Sequence, residues 1–232
     1  MLALCLLSGF ALPAQAQMAW TDKGYAAIDF GGQFAAKGFD GQAVFPLYEE
    51  DATVQTSQDG KSAPMYDIRA GYKVWKNLAV GIGFSWASRS SDATLVATLP
   101  DPAVFDSPRT VNVDAPGLKH SESALHLSGT WMIPVTDKID VGLVGGPTIF
   151  FLSKELASPL TVTEPGPVVT VDPTEESETG VGLHIGVDLQ YMLNKRYGVG
   201  GLARYTWGKA DVTGGEVTMG GFQLGGGLRI RF

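Results

Sequence analysis

The chain has 232 residues, of which 18% are charged, 44% are hydrophobic and 30 are glycine. Its formal net charge of −7 argues against a nucleic-acid partner, which would need a basic surface, and its single cysteine excludes both disulfides and thiolate metal sites. No run of about 18 apolar residues occurs, which excludes a transmembrane helix, and no motif suggests a cofactor.

Residues 1–16 predict a secretory signal peptide. Leu2 to Leu12 form an apolar core, Pro13 interrupts it, and Ala14-Gln15-Ala16 offers the small residues of a cleavage site. A lipid anchor on Cys5 is the alternative, but no apolar stretch of sufficient length precedes that cysteine. We therefore expect cleavage after Ala16 and an exported domain over residues 17–232.

Three short connections are almost equally spaced along the exported domain, at Lys76-Asn77, Thr136-Asp137 and Lys195-Arg196. Each lies between two segments in which large apolar residues alternate with small or polar ones, so each predicts a tight hairpin turn. The other connections are long and rich in Pro, Asp, Ser and Thr, and they predict loops that all leave the opposite end of the sheet.

The alternating segments predict eight β-strands, an even number that returns the chain to the side on which it began. One face of each strand carries large apolar residues and the other carries small or charged residues, as in any half-buried antiparallel sheet. A soluble lipocalin-like barrel would bury the apolar face, whereas an outer-membrane barrel would turn it towards lipid. The predicted strands are Tyr25–Phe34, Tyr66–Trp75, Leu78–Trp86, Leu125–Ile133, Ile139–Phe151, Val181–Leu193, Tyr197–Trp207 and Val217–Phe232.

Four features favour the membrane barrel. The polar face is rich in glycine, which suits the crowded interior of a small barrel, and aromatic residues gather at both ends of the strands. At a tilt near 40°, the strand from Leu78 to Trp86 spans roughly 20 Å, close to the ~25 Å apolar band between aromatic girdles. The third feature is the arrangement of short turns at one end and long loops at the other. The fourth is the export signal. The aromatics are Trp20, Tyr25, Tyr72, Trp131, Tyr191, Tyr197 and Phe232 near the short turns, and Phe84, Trp86, Phe151, Tyr205, Trp207 and Phe222 at the far end.

With these features the sequence resembles the small outer-membrane β-barrel proteins of Gram-negative bacteria, the OmpA-transmembrane, OmpX and OmpW-like group. Its most specific element is the last strand, in which Gly225, Gly227, Leu228, Ile230 and Phe232 match the C-terminal signal of such barrels. The resemblance implies an all-β, eight-stranded, antiparallel up-and-down barrel in the outer membrane, with lipid and lipopolysaccharide around it. It also implies that the barrel-assembly machinery recognises this segment.

Strand parity predicts a polar network inside the barrel. An eight-stranded interior is just wide enough to be filled by side chains, so buried charges there must pair. A salt-bridged plug that closes the barrel is one interpretation, and a narrow conduit gated by rearrangement of the pairs is the other. The predicted lumenal residues are Asp29, Asp67, Arg69, Lys73, His126, Asp140, His184, Asp188, Arg204, Arg229 and Arg231, joined by Gln33 and Gln190.

Three functions remain open. The first is a structural or surface-interaction role through the acidic long loops, where Phe39, Phe45, Leu47 and Tyr48 offer apolar contacts for an extracellular protein partner. The second is a narrow OmpW-like channel for small solutes. The third is a lipid A-modifying enzyme, because His126 and Ser128 are a candidate base and nucleophile, although both are predicted to point away from lipid. We expect the first, and no catalytic residues.

Overall fold

The computed structural model describes residues 20–35, 39–58, 62–163, 168–212 and 215–232. The predicted signal peptide and its cleavage site lie outside the described residues. No helix among the described residues is long and apolar enough to cross a membrane. The described strands are β1 (Gly24–Ala35), β2 (Phe39–Leu47), β3 (Glu50–Gln58), β4 (Ala63–Trp75), β5 (Leu78–Leu99), β6 (Arg109–Pro134), β7 (Ile139–Thr163), β8 (Val168–Met192), β9 (Tyr197–Val212) and β10 (Gly215–Arg231).

Eight of these strands close into a ring, as predicted. The hydrogen-bonded order β5-β4-β1-β10-β9-β8-β7-β6 returns to β5, and all neighbours are antiparallel. The first and last strands pair from Tyr25 opposite Arg231 to Ala35 opposite Gly221. Because each ring strand has a partner on both sides, the described part of the ring has no unpaired backbone edge.

The three predicted turns join consecutive strands at one end of the barrel. Thr136 Oγ1 accepts a hydrogen bond from the Ile139 N–H at 3.0 Å, and Asn194 Oδ1 accepts one from the Tyr197 N–H at 2.8 Å. In the first turn Lys76 adopts a left-handed backbone with φ of 43°. Polar side chains therefore close the backbone at the tight turns, as is usual for Asn and Thr.

Large apolar side chains cover the outside of the ring, and charged side chains lie inside it. Ile82 is 51% exposed on the outer face, whereas Arg229 is 1% exposed in the lumen. Small residues on the inner face let strands approach closely: a Cβ built on Gly81 would lie 2.5 Å from the Ala70 carbonyl oxygen. A side chain at Gly81 would therefore collide with the backbone of β4.

Two of the aromatics predicted near the short turns point into the barrel. Trp20 and Tyr25 are 2% and 3% exposed and pack together with Ala79 and Met132. Tyr25 shares its strand face with Asp29, so the alternation of β1 itself places the ring in the lumen.

The long connections were predicted to be loops, but in the structure they are mostly β-strand. The first contains the β2–β3 hairpin, and β3 pairs with the upper part of β5 from Thr53 opposite Thr98. Strands β5 and β6 stay paired up to Leu99 opposite Arg109. Strands β7 and β8 stay paired up to Thr163 opposite Val168, so a hairpin is present there, although its predicted centre, residues 164–167, is not described. We call β2, β3 and the upper parts of β5 to β8 the extracellular extension.

Strand β5 reverses its chemistry where the extension begins. Below Ser88, its inward side chains are small or polar, such as Ser85, and its outward ones are apolar, such as Ile82. Further along the same two faces, Leu95 is fully buried and Thr94 is exposed. The lower part of the strand is therefore suited to contact with lipid, and the upper part is suited to contact with water.

The extension has a hydrophobic core of its own. Phe45 and Leu47 pack against this core, which corrects the expectation that they face a partner; Tyr48 is exposed, and the Phe39 side chain is not described. Val162 of β7 packs against the same cluster, so the β2-β3-β5-β6 sheet and the β7–β8 hairpin face each other. The buried residues are Ala52, Val54, Ala93, Leu95, Ala97, Leu99, Ala115 and Leu118, with Val111 and Val113 partly buried beside them.

The reversal on β5 gives a matched pair of substitutions. Ile82→Arg places a charge near the middle of the outer apolar face and should cost ~2–4 kcal/mol of folding free energy in lipid. Thr94→Arg, on the same strand face in the extension, should change stability little. Urea titration of each variant folded in lipid vesicles measures both, and equal stability of the two variants would contradict the assignment of the membrane face.

The core of the extension predicts a local loss of stability. Leu95→Ala removes a fully buried side chain and should destabilise the extension by about 2–5 kcal/mol. Proteinase K should then cleave the extension faster, while the barrel keeps its heat-modifiable migration on a gel. Thr94→Ala is the neighbouring control, and unchanged cleavage of Leu95→Ala would show that the cluster does not hold the extension together.

Candidate functional site

The centre of the lumen is organised around Asp188 on β8. Its Oδ1 accepts hydrogen bonds from Arg69 Nη2 at 2.7 Å and from Arg229 Nη2 and Nε at 2.6 and 3.1 Å. Its Oδ2 accepts one from Gln190 Nε2 at 2.6 Å. One carboxylate on β8 thus joins side chains from β4 and β10 across the barrel.

Two further aspartates complete this centre. Asp29 accepts a hydrogen bond from Arg229 Nη1 at 2.8 Å and lies 2.9 Å from Arg69 Nη2. Asp67 accepts one from Arg204 Nη2 at 2.6 Å and lies 3.3 Å from Arg69 Nη1. Three arginines and three aspartates therefore neutralise one another where every carboxylate is buried, and pairing of this kind is what makes buried charge tolerable.

Towards the short turns, the network continues through Arg231. Its Nε and Nη2 donate to Gln190 Oε1 at 3.2 and 3.0 Å, and its guanidinium also pairs with Asp140. Gln190 links this pair to Asp188. Asp140 and Arg231 therefore belong to the same connected network as the central charges.

Towards the extension, the network continues through two glutamines and one glutamate. Arg204 Nε donates to Gln223 Oε1, and Gln223 Nε2 donates to Gln33 Oε1, both at 2.7 Å. Gln33 Nε2 then donates to Glu122 Oε1 at 2.9 Å. We call the connected set from Arg231 to Glu122 the polar column; it contains Glu122, which the sequence prediction missed because its strand began at Leu125.

His126 and His184 form a separate hydrogen-bonded cluster on the lumen wall. His126 Nε2 lies 2.9 Å from Ser85 Oγ, and its Nδ1 lies 3.0 Å from Thr148 Oγ1. His184 Nδ1 lies 2.9 Å from Thr148 Oγ1, and its Nε2 lies 3.0 Å from Ser128 Oγ. Ser128 is thus bonded to His184 and not to His126, and the buried rings have hydroxyl partners at all four nitrogens.

Lys73 lies at the short-turn end of the lumen and contacts the buried Trp20. Its Nζ donates to the Trp20 carbonyl at 2.6 Å and lies 5.6 Å from the centre of the Trp20 ring. The backbone N–H of Trp20 donates to Asn77 Oδ1 at 3.1 Å, and the Tyr25 hydroxyl is 2.9 Å from Thr130 Oγ1. Trp20 and Tyr25 therefore fill this mouth of the barrel.

Apolar side chains fill the other end of the lumen. Phe150 and Leu152 point inward from β7 and cluster with Ala124, Ala210 and Met219. Above them begins the core of the extension. Leu152 is paired with Glu122 in the β6–β7 ladder, so these apolar side chains lie beside the Glu122 end of the polar column.

The segment that matches the assembly signal lies along β10. Gly225 and Gly227 are on the inner face, and Leu228 and Phe232 are 59% and 60% exposed on the outer face. The Phe232 carbonyl accepts hydrogen bonds from the N–H groups of Lys23 and Gly24 at 2.7 and 2.8 Å. Phe232 therefore lies at the short-turn rim, while Ile230 is partly buried beside it.

Within the part of the chain that the structure describes, no group of three His, Cys, Asp or Glu side chains could hold a metal ion. The charges of the lumen are instead matched by one another. The chemistry that this arrangement supports is closure of the barrel by pairing.

The family model described as the outer membrane protein beta-barrel domain matches residues 2–229. Neisserial surface protein A is 14% identical, with 90% of this chain and 97% of that chain covered and a TM-score of 0.45. The outer membrane protease OmpT from Escherichia coli is 10% identical, with 94% and 99% covered and a TM-score of 0.48. OprG from Pseudomonas aeruginosa is 10% identical, with 91% and 97% covered and a TM-score of 0.45. A search of curated protein sequences finds no match.

The polar column predicts a large effect of a conservative change at its centre. Asp188→Asn keeps the shape of the side chain but leaves Arg69 and Arg229 with unbalanced buried charge, which should cost about 3–5 kcal/mol of folding free energy. Asp137→Asn, in an exposed turn, is the control and should be neutral. Urea titration in lipid vesicles compares them; wild-type stability of Asp188→Asn would show that water or counterions already compensate these charges.

Proposed function

The chain belongs to the outer membrane protein beta-barrel domain family, and from that premise we propose that it is a closed membrane anchor that presents its extracellular extension to a partner. The protein lies in the outer membrane, with lipid and lipopolysaccharide around the apolar face. In this proposal residues 1–16 are removed on export, and residues 17–232 form a single barrel domain.

The observation that carries the proposal is the hydrophobic core of the extension. Residues that project beyond a barrel only to connect its strands have no need for a core, whereas Leu95 and Leu99 are fully buried in one. A core holds surface side chains in fixed positions, as binding surfaces require. The extension therefore has the construction of a folded binding module.

The filled lumen supports the anchor role. The charges at mid-lumen are paired, Trp20 lies at one end and Phe150 at the other, and all are buried. Solute passage would need the ion pairs to separate and both apolar clusters to move. The extension is then the part of the molecule left to interact with the surroundings.

A narrow channel is the second candidate, and the polar column favours it. The column connects charged and amide groups from Arg231 to Glu122 along the lumen. Rearranged pairs could line a path for small polar solutes. A lipid A-modifying activity has no comparable support. Ser128 is hydrogen-bonded to His184, but this pair lies inside the lumen and faces away from lipid.

Recognition by the barrel-assembly machinery is part of the proposal. The outer-face position of Leu228 and Phe232 leaves their side chains open to a partner before the strand is surrounded by lipid. Gly225 and Gly227 lie on the opposite face, so the signal presents one apolar face only.

The proposal predicts that residues 17–232, refolded and inserted in a planar bilayer, give no discrete conductance steps across a range of salt and voltage. Trp20→Ala should also be silent, because the ion pairs and the Phe150 cluster still fill the lumen. Heat-modifiable gel migration confirms folding of both proteins. Reproducible openings of the wild type would favour the channel, and openings of Trp20→Ala alone would show that one aromatic side chain closes the barrel.

A further inference from the structure

Two turns meet at the far end of the extension. The β2–β3 hairpin turns at Tyr48-Glu49, and the β5–β6 hairpin turns between Leu99 and Arg109. The Asp106 N–H donates to Glu50 Oε1 at 3.0 Å, which joins the two turns. We call residues 48–51 and 101–106 the distal tip.

Hydrogen bonds fix the shape of the β5–β6 turn. Asp101 Oδ1 accepts the Ala103 N–H at 2.8 Å, and Arg109 Nη2 donates to the Pro100 carbonyl at 3.0 Å. Arg109 Nε lies 3.6 Å from Asp101 Oδ2. Polar side chains on both sides of the turn thus position the residues between them.

The backbone of the distal tip is strained. Tyr48, Glu49 and Asp106 have φ values of 54°, 68° and 53°, a left-handed conformation that costs energy for residues with a side chain. A two-residue hairpin of this kind is usually built from Asn-Gly, which avoids the cost. Strained positions cluster at ligand-contacting sites, where side chains are needed despite the cost.

The strained turns expose large apolar side chains. Phe105 is 71% exposed, more than any other aromatic side chain among the described residues, and Val104 is 58% exposed. Tyr48 is 39% exposed on the neighbouring turn. Unlike the outer face of the barrel, this end of the molecule faces water, where exposed apolar groups mark interaction sites.

Acidic side chains surround these apolar groups. Within the distal tip the charged residues are Glu49, Glu50, Asp51, Asp101 and Asp106, all negative. This charge repels an anionic surface such as lipopolysaccharide and attracts a cationic one. The combination fits an aromatic anchor that enters a pocket while its acidic surround pairs with a basic rim.

We propose that the distal tip docks a protein partner whose apolar pocket is rimmed by Lys and Arg, with Phe105 as the anchor. This inference rests on the proposed surface-interaction function, because it names the part of the extension that binds. Phe105 and Val104 enter the pocket, Tyr48 packs at its edge, and the acids accelerate the encounter and fix its orientation.

The full exported chain in phosphatidylcholine nanodiscs is used to select binders from a phage-displayed library of small folded domains whose surface residues are randomised. Selected domains should carry Lys or Arg around an apolar cleft, and raised salt should weaken their binding. Phe105→Ser should weaken it about tenfold or more, as loss of an anchor does. Glu49→Gln with Asp51→Asn should weaken it in a salt-dependent way, and Val44→Ser, an exposed apolar site elsewhere in the extension, should have no effect.

Each other outcome is decisive. Domains that bind the extension equally well after Phe105→Ser overturn the distal-tip site and leave the surface-interaction function standing. Failure to select any domain that binds the extension counts against both. Phosphatidylcholine vesicles that bind the nanodiscs through Phe105 would assign the tip to a membrane surface instead. Selected domains without Lys or Arg around the cleft would overturn the basic rim.

Discussion

Mutual neutralisation of three arginines and three aspartates at mid-lumen is the interaction on which the barrel depends. Eight strands leave no room for a hydrated column, so each charge must find its partner among side chains from other strands. Asp188 alone meets guanidinium groups from β4 and β10. The register of those strands and the content of the lumen are therefore set together, since a strand shifted by one residue would turn its charges towards lipid.

The barrel and its lumenal charges could be predicted from alternation, because side chains on a strand point to opposite faces in strict turn. That rule placed Asp29 and Arg229 on the inner face without any knowledge of contacts. It could not assign partners: the sequence suggests His126 with Ser128, whereas Thr148 and Ser85 bond to His126. Which side chains form hydrogen bonds across the lumen depends on how the ring closes, and a local sequence pattern does not contain that information.

The extension was missed for a different reason. Stretches rich in Pro, Asp, Ser and Thr predict loops, but on β5 the polar residues Ser90, Asp92 and Thr94 form the outer face of a strand in water. Leu95, Ala97 and Leu99 continue the inward parity of Ser85 beyond Trp86, with apolar and polar positions exchanged. The signal available in the sequence was that the alternation on β5 continues past Trp86 while its apolar and polar faces exchange. Following the alternation in the same way along β6 would have included Glu122 in that strand.

That reversal makes one strand respond to temperature in two ways. Burial of Leu95 and its neighbours removes apolar surface from water, so unfolding of the extension carries a positive heat-capacity change and the hydrophobic contribution to its stability weakens on cooling. Ile82 and the outer face below Trp86 remain in hydrocarbon and contribute no such change. The outer part of the molecule is therefore sensitive to cold in a way that the lipid-facing surface of the barrel is not.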